Sequence, residues 1–164
     1  MPARLAKIAM TFGLALFAFL VTFTNITDYD SNYQFVRHVL SMDTTFPGNA
    51  AMYRAITSPA LWTAAYWAII AGEGLTCALF LLAGLRLVGA RAAPAAAFNA
   101  AKAPFHLAAA VAFLVWFVAF MVIGGEWFLM WQSETWNGQE PAFRFYLTIL
   151  AVLIYVNQPD GELQ

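Results

Sequence analysis

The stretch AMTFGLALFAFLVTFT, residues 9–24, decides the fold because it is a long apolar run without a charged side chain. With its flanks it covers residues 8–26, about the 20 residues that a helix needs to cross a bilayer. Arg4 and Lys7 precede it, as in a secretory signal peptide, but the apolar core is long for a signal. The following NITDYDSN also lacks the small residues of a cleavage site, so we expect a retained transmembrane helix.

Three further apolar runs follow, and the four together predict an all-α, polytopic membrane protein with a single domain and four transmembrane helices. The second run begins at Ser58-Pro59, where a good N-cap residue precedes a proline at the first helical position. The composition agrees, because 62% of the 164 residues are hydrophobic and 10% are charged, whereas soluble domains are about a quarter charged. The expected helices cover residues 8–26, 59–87, 104–131 and 141–157.

Lysine and arginine placement predicts the orientation, since these residues favour the cytoplasmic side of a membrane. Five of them lie on the side of the two termini, which we call the near side, and three lie on the opposite, far side. We therefore expect both termini in the cytoplasm and residues 91–102 as a plain cytoplasmic connection. The near-side residues are Arg4, Lys7, Arg86, Arg91 and Lys102, and the far-side residues are Arg37, Arg54 and Arg144.

The first far-side loop contains an amphipathic pattern. Val36, Val39 and Leu40 recur at helical spacing within residues 31–42, which predicts a short helix lying in the membrane interface. A turn at Pro47-Gly48 precedes a second short helix, expected over residues 49–56. We expect the far-side loops to form an ordered extracytoplasmic cap, made of residues 27–58 and 132–140.

The second far-side loop lies within GGEWFLMWQSETWNGQEPAFRF, residues 124–145. Its tryptophans suit an aromatic belt at headgroup depth, and Gly124-Gly125 is expected to loosen or kink the end of the third helix. We expect this stretch to pack against residues 35–43, around the interfacial helix. The aromatic residues expected at an interface are Trp127, Trp131, Trp136, Tyr33 and Phe35.

Arg144 begins a short apolar helix, where an unpaired guanidinium is costly. We expect it to pair with Glu126 at the end of the third helix, or alternatively with Glu140, four residues earlier. Such pairs would position the loops. By the same argument, Arg37 or Arg54 is expected to pair with Asp28, Asp30 or Asp43.

Glu73 lies in the interior of the second apolar run, 14 residues after Pro59 and 13 before Arg86. At about 1.5 Å per residue, this places it close to the bilayer midplane. Ionisable residues inside a membrane point to function, so two interpretations stay open. Glu73 either locks helix packing through Thr or Tyr hydroxyls, which we favour, or it serves a transport path.

Metal binding is a further alternative. His38 and Met42 are four residues apart, and Met130 and Glu126 could approach them from the second loop. Histidine and methionine suit copper or haem iron. However, the methionines equally fit packing, the single Cys77 forms no CxxC pair, and no catalytic motif is present. We therefore expect no enzyme activity, metal or cofactor, and we expect bound lipids.

Four long strings resemble an uncharacterised family of predicted small bacterial integral-membrane proteins, domain of unknown function 2165. They are NITDYDSNYQFVRHVLSMDTTFP, MYRAI, AIIAGEGLT with Glu73, and the stretch over residues 124–145. The resemblance covers nearly the whole chain. It implies four membrane-spanning helices in a bacterial inner membrane and no agreed activity, and it supplies no catalytic residues.

An accessory role fits these observations best. The first and third helices are apolar on all faces, as in helices buried in protein or lipid, and a small bundle offers little room for a substrate cavity. We expect a non-catalytic, supernumerary subunit of a larger bacterial membrane complex, which could be respiratory, photosynthetic or a transport complex. The alternatives are a small metal- or haem-binding redox protein and a transporter or channel that uses Glu73. The net charge of −1 gives no reason to expect nucleic acid.

Overall fold

A computed structural model describes residues 1–163, and this part of the chain is helical without strands. Four helices are long and apolar enough to cross a membrane. This confirms the predicted all-α, four-span architecture; the predicted single domain of residues 1–164 extends beyond the described range by Gln164. The helices are α1 (Pro2–Thr27), α2 (Tyr29–Ser41), α3 (Pro59–Ala90), α4 (Ala95–Ala100), α5 (Ala103–Phe113), which continues as a π-helix (Leu114–Trp127, the π segment), and α6 (Gln139–Asn157), with short 3₁₀ turns at Ala50–Arg54 and Met130–Gln132.

The far-side ends differ from their predicted bounds. The third span ends at Trp127 instead of residue 131, because Leu129 adopts a left-handed backbone (φ 53°) that a helix cannot continue. The second short helix of the first loop is a 3₁₀ turn over Ala50–Arg54, and the Asn49 side chain caps it by accepting from the backbone N–H of Ala51 at 2.8 Å. The interfacial helix predicted over residues 31–42 forms as α2.

The α2 helix packs against the first half of α3. With 32 residues, α3 is about 48 Å long, well beyond the roughly 30 Å of a bilayer core. Val36 of α2 forms a buried cluster with Tyr66 and Ile70 of α3. The hydroxyl of Tyr66 also donates to the backbone carbonyl of Asn25, so this cluster lies beside the last turn of α1.

Small residues bring the spans close together, as is common where helices associate without a hydrophobic driving force. At Gly84 of α3, an added Cβ would meet the Phe12 ring of α1 at 2.8 Å. Ala108 and Ala112 of α5 are fully buried in the main core, where Trp116 fills the space between Phe17 and Phe145.

The π segment is unusual, since π-helices mostly occur as single-turn bulges. Its final turn shows the wider spacing, because the backbone N–H of Phe128 donates to the carbonyl of Ile123, five residues earlier, at 2.9 Å. Gly125 in this turn allows close approach of α6, since an added Cβ would lie 2.5 Å from Nε2 of Gln139. The change of helix type begins at Leu114, ten residues before the glycine pair, so it does not depend on Gly124-Gly125.

A buried polar network closes the near side. The Nζ atoms of Lys7 and Lys102 each lie 2.6 Å from the same carboxylate oxygen of Asp160, in a site where these side chains are 3–5% exposed. Arg4, also buried, donates to the carbonyls of Arg91, Ala93 and Gly161. The expectation that residues 91–102 are a plain connection was therefore wrong, because this loop supplies carbonyl acceptors and Lys102 to a closed site.

The Asp160 carboxyl favours its ionised form despite its burial. Burial alone raises the pKa of Asp160, but hydrogen bonds from Lys102 and Lys7 oppose it, and the net effect holds the pKa below its ordinary value. The carbonyl of Gln158 accepts from both lysines, at 2.6 and 2.7 Å. These partners offset the cost of removing charges from water.

We expect Asp160→Asn to lower the free energy of unfolding by about 3 kcal/mol at neutral pH, because it leaves two buried lysines without an anion. The folded-state pKa of Asp160 is depressed, so its contribution is complete above its unfolded pKa, about 3.9, and is lost as the pH falls through the folded pKa. The difference in the free energy of unfolding between wild type and variant should therefore become smaller below about pH 4. Denaturant unfolding in detergent at several pH values measures this difference. Asp30→Asn, at an exposed far-side position, is the control, and a gap that widens on acidification would contradict the assignment.

The topology is tested by cysteine accessibility. In a Cys77→Ala background, single cysteines at Ala92 and Thr135, which are exposed at opposite ends of the bundle, should react with a membrane-impermeant maleimide from opposite sides. We expect Thr135→Cys to react in intact cells and Ala92→Cys to react only after the membrane is opened. Labelling of both from one side would overturn the four-span arrangement.

Candidate functional site

The two far-side loops pack on each other. Met42 from the first loop forms a buried cluster with Phe128 and Met130 from the second. Beside it, Gly138 lies so close to Phe35 that an added Cβ would be 2.8 Å from the ring. The predicted packing of the second loop against the region around α2 is thus confirmed.

Hydrogen bonds between neutral side chains hold this cap together. Thr44 Oγ1 donates to Ser133 Oγ at 2.8 Å, and Asn49 Nδ2 donates to Gln132 Oε1 at 3.1 Å. The same oxygen of Gln132 also accepts from the backbone N–H of Phe46. The cap is therefore a connected unit and not a pair of independent loops.

The residues predicted as a possible metal site have other contacts. His38 stacks on Trp136, with ring centroids 4.7 Å apart, and its Nδ1 lies 2.9 Å from the carboxylate of Asp43. Met42 and Met130 are 1% and 2% exposed in the packing cluster. Within residues 1–163, no group of three or more His, Cys, Asp or Glu side chains is arranged to hold a metal ion.

The expected pair between Arg144 and Glu126 was wrong, and the alternative, Glu140, is the partner. Because α6 begins at Gln139, Glu140 and Arg144 lie one helical turn apart. Both side chains are more than 70% exposed, so this pair contributes little to stability. Glu126 is also exposed, and no ion pair to it occurs within residues 1–163.

The other two far-side arginines do not pair with aspartates as expected. Arg37 donates to Oε1 of Gln34 at 3.0 Å and lies over the Trp62 ring. Arg54 donates to the carbonyl of Trp127, 3.3 Å away, and its guanidinium carbon lies 4.7 Å from the centre of that ring. Aromatic faces take the place of the predicted carboxylates.

The aromatic residues expected at an interface divide into two groups. Trp127 and Trp131 are 52% and 47% exposed. Trp136 packs against the methionine cluster, Phe35 contacts Phe120, and Tyr33 stacks on its neighbour in α2. The first two are therefore the most exposed of the five.

Glu73 is buried and hydrogen-bonded, although not to the expected hydroxyl. Its Oε2 accepts from Nδ2 of Asn25 at 2.7 Å, and the hydroxyl of Tyr66 donates to the backbone carbonyl of the same asparagine. Asn25 lies two residues before α1 ends at Thr27, so Glu73 lies in the far-side half of the bundle instead of at its midplane. Sequence reasoning missed Asn25, which is a polar residue at the end of an otherwise apolar run.

Two adjoining cavities contradict the expectation that the bundle offers little room. An apolar groove of about 440 Å³ lies between α2, α3 and the π segment. A smaller cavity of about 210 Å³ beside it is bordered by Glu73, Asn25 and Asn32. The larger volume lies within the range of roughly 300–1,000 Å³ typical of small-molecule sites.

Comparison with known proteins identifies the membrane setting and no activity. The model of the DUF2165 family, described as predicted small integral membrane protein, matches residues 3–159. This confirms the family resemblance seen in the sequence. No curated protein and no solved structure matches the chain.

The Glu73–Asn25 contact generates a stability prediction. Glu73→Gln keeps the shape and an acceptor for Asn25, so we expect little change in the free energy of unfolding. Glu73→Leu leaves the amide unpaired and should cost roughly 0.6–2 kcal/mol. Thermal unfolding of the purified protein measures both, with Glu126→Leu at an exposed position as the control. If Gln is as harmful as Leu, the charge itself matters and proton chemistry at Glu73 must be reconsidered.

Proposed function

The chain belongs to the DUF2165 family of predicted small integral membrane proteins, and on that premise we propose that it is a non-catalytic accessory subunit that packs against a larger membrane protein complex. One observation supports this most directly. The guanidinium of Arg54 lies 5.4 Å from the Tyr53 ring and 4.7 Å from the Trp127 ring, on an exposed part of the cap. We call these three residues the aromatic–arginine surface.

The composition of this surface suits protein recognition. Tyr53 is 78% exposed and Trp127 is 52% exposed, so two large rings are available for contact. Tyrosine, tryptophan and arginine are the residues that most often dominate binding energy at protein interfaces. An aromatic belt for lipid headgroups needs the rings but does not need a guanidinium fixed next to them.

The surface is also held in place before any partner binds. Arg54 donates to the carbonyl of Trp127, which joins the 3₁₀ turn of the first loop to the end of the π segment. The neutral hydrogen bonds of the cap support the same region. Binding therefore needs little further ordering of side chains, which is a major cost of association.

The alternative roles have less support. Met42 and Met130 are buried packing residues, and the Nδ1 atom of His38 already contacts Asp43. Among residues 1–163, the Glu73 carboxylate is hydrogen-bonded to the neutral amide of Asn25 and to no other side chain. An accessory role needs neither a redox site nor a conducting path.

The proposal is tested by purification in mild detergent from cells that express the protein at its natural level. We expect a discrete membrane complex to co-purify and to crosslink to a photoreactive phenylalanine analogue at position 53. The double variant Tyr53→Ala, Trp127→Ala should reduce retention of that complex at least about tenfold, since hot-spot losses of this kind exceed roughly 1.4 kcal/mol.

Phe19→Ala is the matched control, because Phe19 is 50% exposed but lies on the membrane-spanning part of α1. Retention should be unchanged in that variant. If position 53 crosslinks only to lipid, or if the double variant retains the complex fully, the aromatic–arginine surface is not a protein interface.

A further inference from the structure

The apolar groove opens toward the surrounding membrane. Ala68 on α3 and Leu114 and Ile123 on the π segment lie at its edge, and all three are exposed. Phe35 and Val39 of α2 line it as well. Since the spans lie in a bilayer, a hydrocarbon chain can enter this groove from the side without crossing water.

The smaller cavity adds polar groups at the inner end. The groove and the cavity share Phe35, Val36, Ile69 and Phe120 as lining residues, so the two adjoin at these side chains. The Phe35 and Phe120 rings are stacked at this junction, with centroids 6.0 Å apart. Glu73 lines the smaller cavity next to it.

That carboxylate has an unused acceptor. Asn25 occupies Oε2, whereas Oε1 has no donor among residues 1–163. Every fully buried side-chain oxygen in this range has a hydrogen-bond partner. Since Oε1 has none, it is not fully buried, and the open space next to it is the smaller cavity. A bound molecule can therefore reach it.

We propose that the two cavities together bind one membrane amphiphile, with its hydrocarbon tail in the groove and a hydroxyl headgroup at Glu73 and Asn32. This goes beyond the accessory role and does not depend on it, since the aromatic–arginine surface contributes no residue to either cavity.

The charges around the cavities select the headgroup. Within residues 1–163, no lysine, arginine or histidine lines either cavity, so a phosphate or carboxylate headgroup would meet Glu73 without a compensating cation. An ammonium group would have Glu73 as its counter-ion, but burying the two charges would cost the hydration of both, which offsets most of their attraction. A hydroxyl donates and accepts through one atom, and so it can satisfy a carboxyl oxygen and an asparagine amide together.

The test uses the purified full-length protein in phosphatidylcholine nanodiscs, without any partner. The probe is hexadecanol with a photoreactive diazirine in its chain, and labelled peptides are identified by mass spectrometry. We expect labelling to concentrate on α2, on the first half of α3 and on the π segment. Unlabelled hexadecanol should compete at a concentration about tenfold below that of its methyl ether, a difference of about 1.4 kcal/mol for the lost donor. Farnesol, tested in parallel, distinguishes a prenyl tail from an acyl tail.

Two variants connect the labelling to the site. Ala68→Phe fills the groove from an exposed position and should reduce labelling about tenfold. Ala71→Phe is the control, because it makes the same change on α3 at an exposed position that does not line the groove. Glu73→Leu should abolish the advantage of the alcohol over its ether while leaving the protein monodisperse.

Three results would overturn the proposal. Labelling spread evenly over α1 and α6 would show ordinary lipid contact. If Ala71→Phe and Ala68→Phe reduce labelling equally, the probe does not bind in the groove. Competition by hexadecylamine but not by hexadecanol would mean that the headgroup is a cation. None of these results bears on the aromatic–arginine surface, so failure here is distinguishable from failure of the accessory role.

Discussion

The near side of the bundle depends on a single carboxylate oxygen that two lysines share. Lys7 comes from α1, Lys102 from the start of the third span, and Asp160 from the segment after α6, so the contact joins three distant parts of the chain. In lipid, apolar surfaces gain nothing from leaving water, and helices associate through packing and polar contacts. A buried ionic network at one end therefore fixes which helices are neighbours, and Arg4 extends it to the loop before α4.

The far side is stabilised by apolar packing and neutral hydrogen bonds instead of buried charges. There, buried methionines and aromatic rings pack while neutral hydrogen bonds join the loops, and the ion pair of Arg144 with Glu140 stays exposed. The third span changes from α- to π-helix midway, and α3 and the π segment border an open groove in that half. The near side is thus stabilised by a buried ionic network, and the far side combines a hydrogen-bonded cap with a cavity. The proposed protein contact and the proposed amphiphile site both lie on the far side.

Much of the fold follows from local sequence. The length and apolarity of four runs were sufficient to predict the four spans, and the spacing of Val36, Val39 and Leu40 was sufficient to predict α2. The near-side network could not be predicted, because a charge bias assigns Lys7 to a side but does not reveal a partner 153 residues away. The depth of Arg144 was misjudged because α6 begins at Gln139, which leaves that side chain in reach of Glu140 and solvent. Glu73 was recognised as unusual, whereas its partner and the cavities depend on how three helices diverge.

The position of Asp160 in the chain has a consequence for how the protein is made. Lys7 emerges from the ribosome 153 residues before its anionic partner, which at roughly 5–20 residues per second is a delay of about 8–30 s. Until Asp160 is made, neither Lys7 nor Lys102 has its anionic partner, and water satisfies both ammonium groups. Burial of these charges must therefore follow synthesis of the last segment of the chain. The near-side network is thus among the last contacts of the bundle that can form.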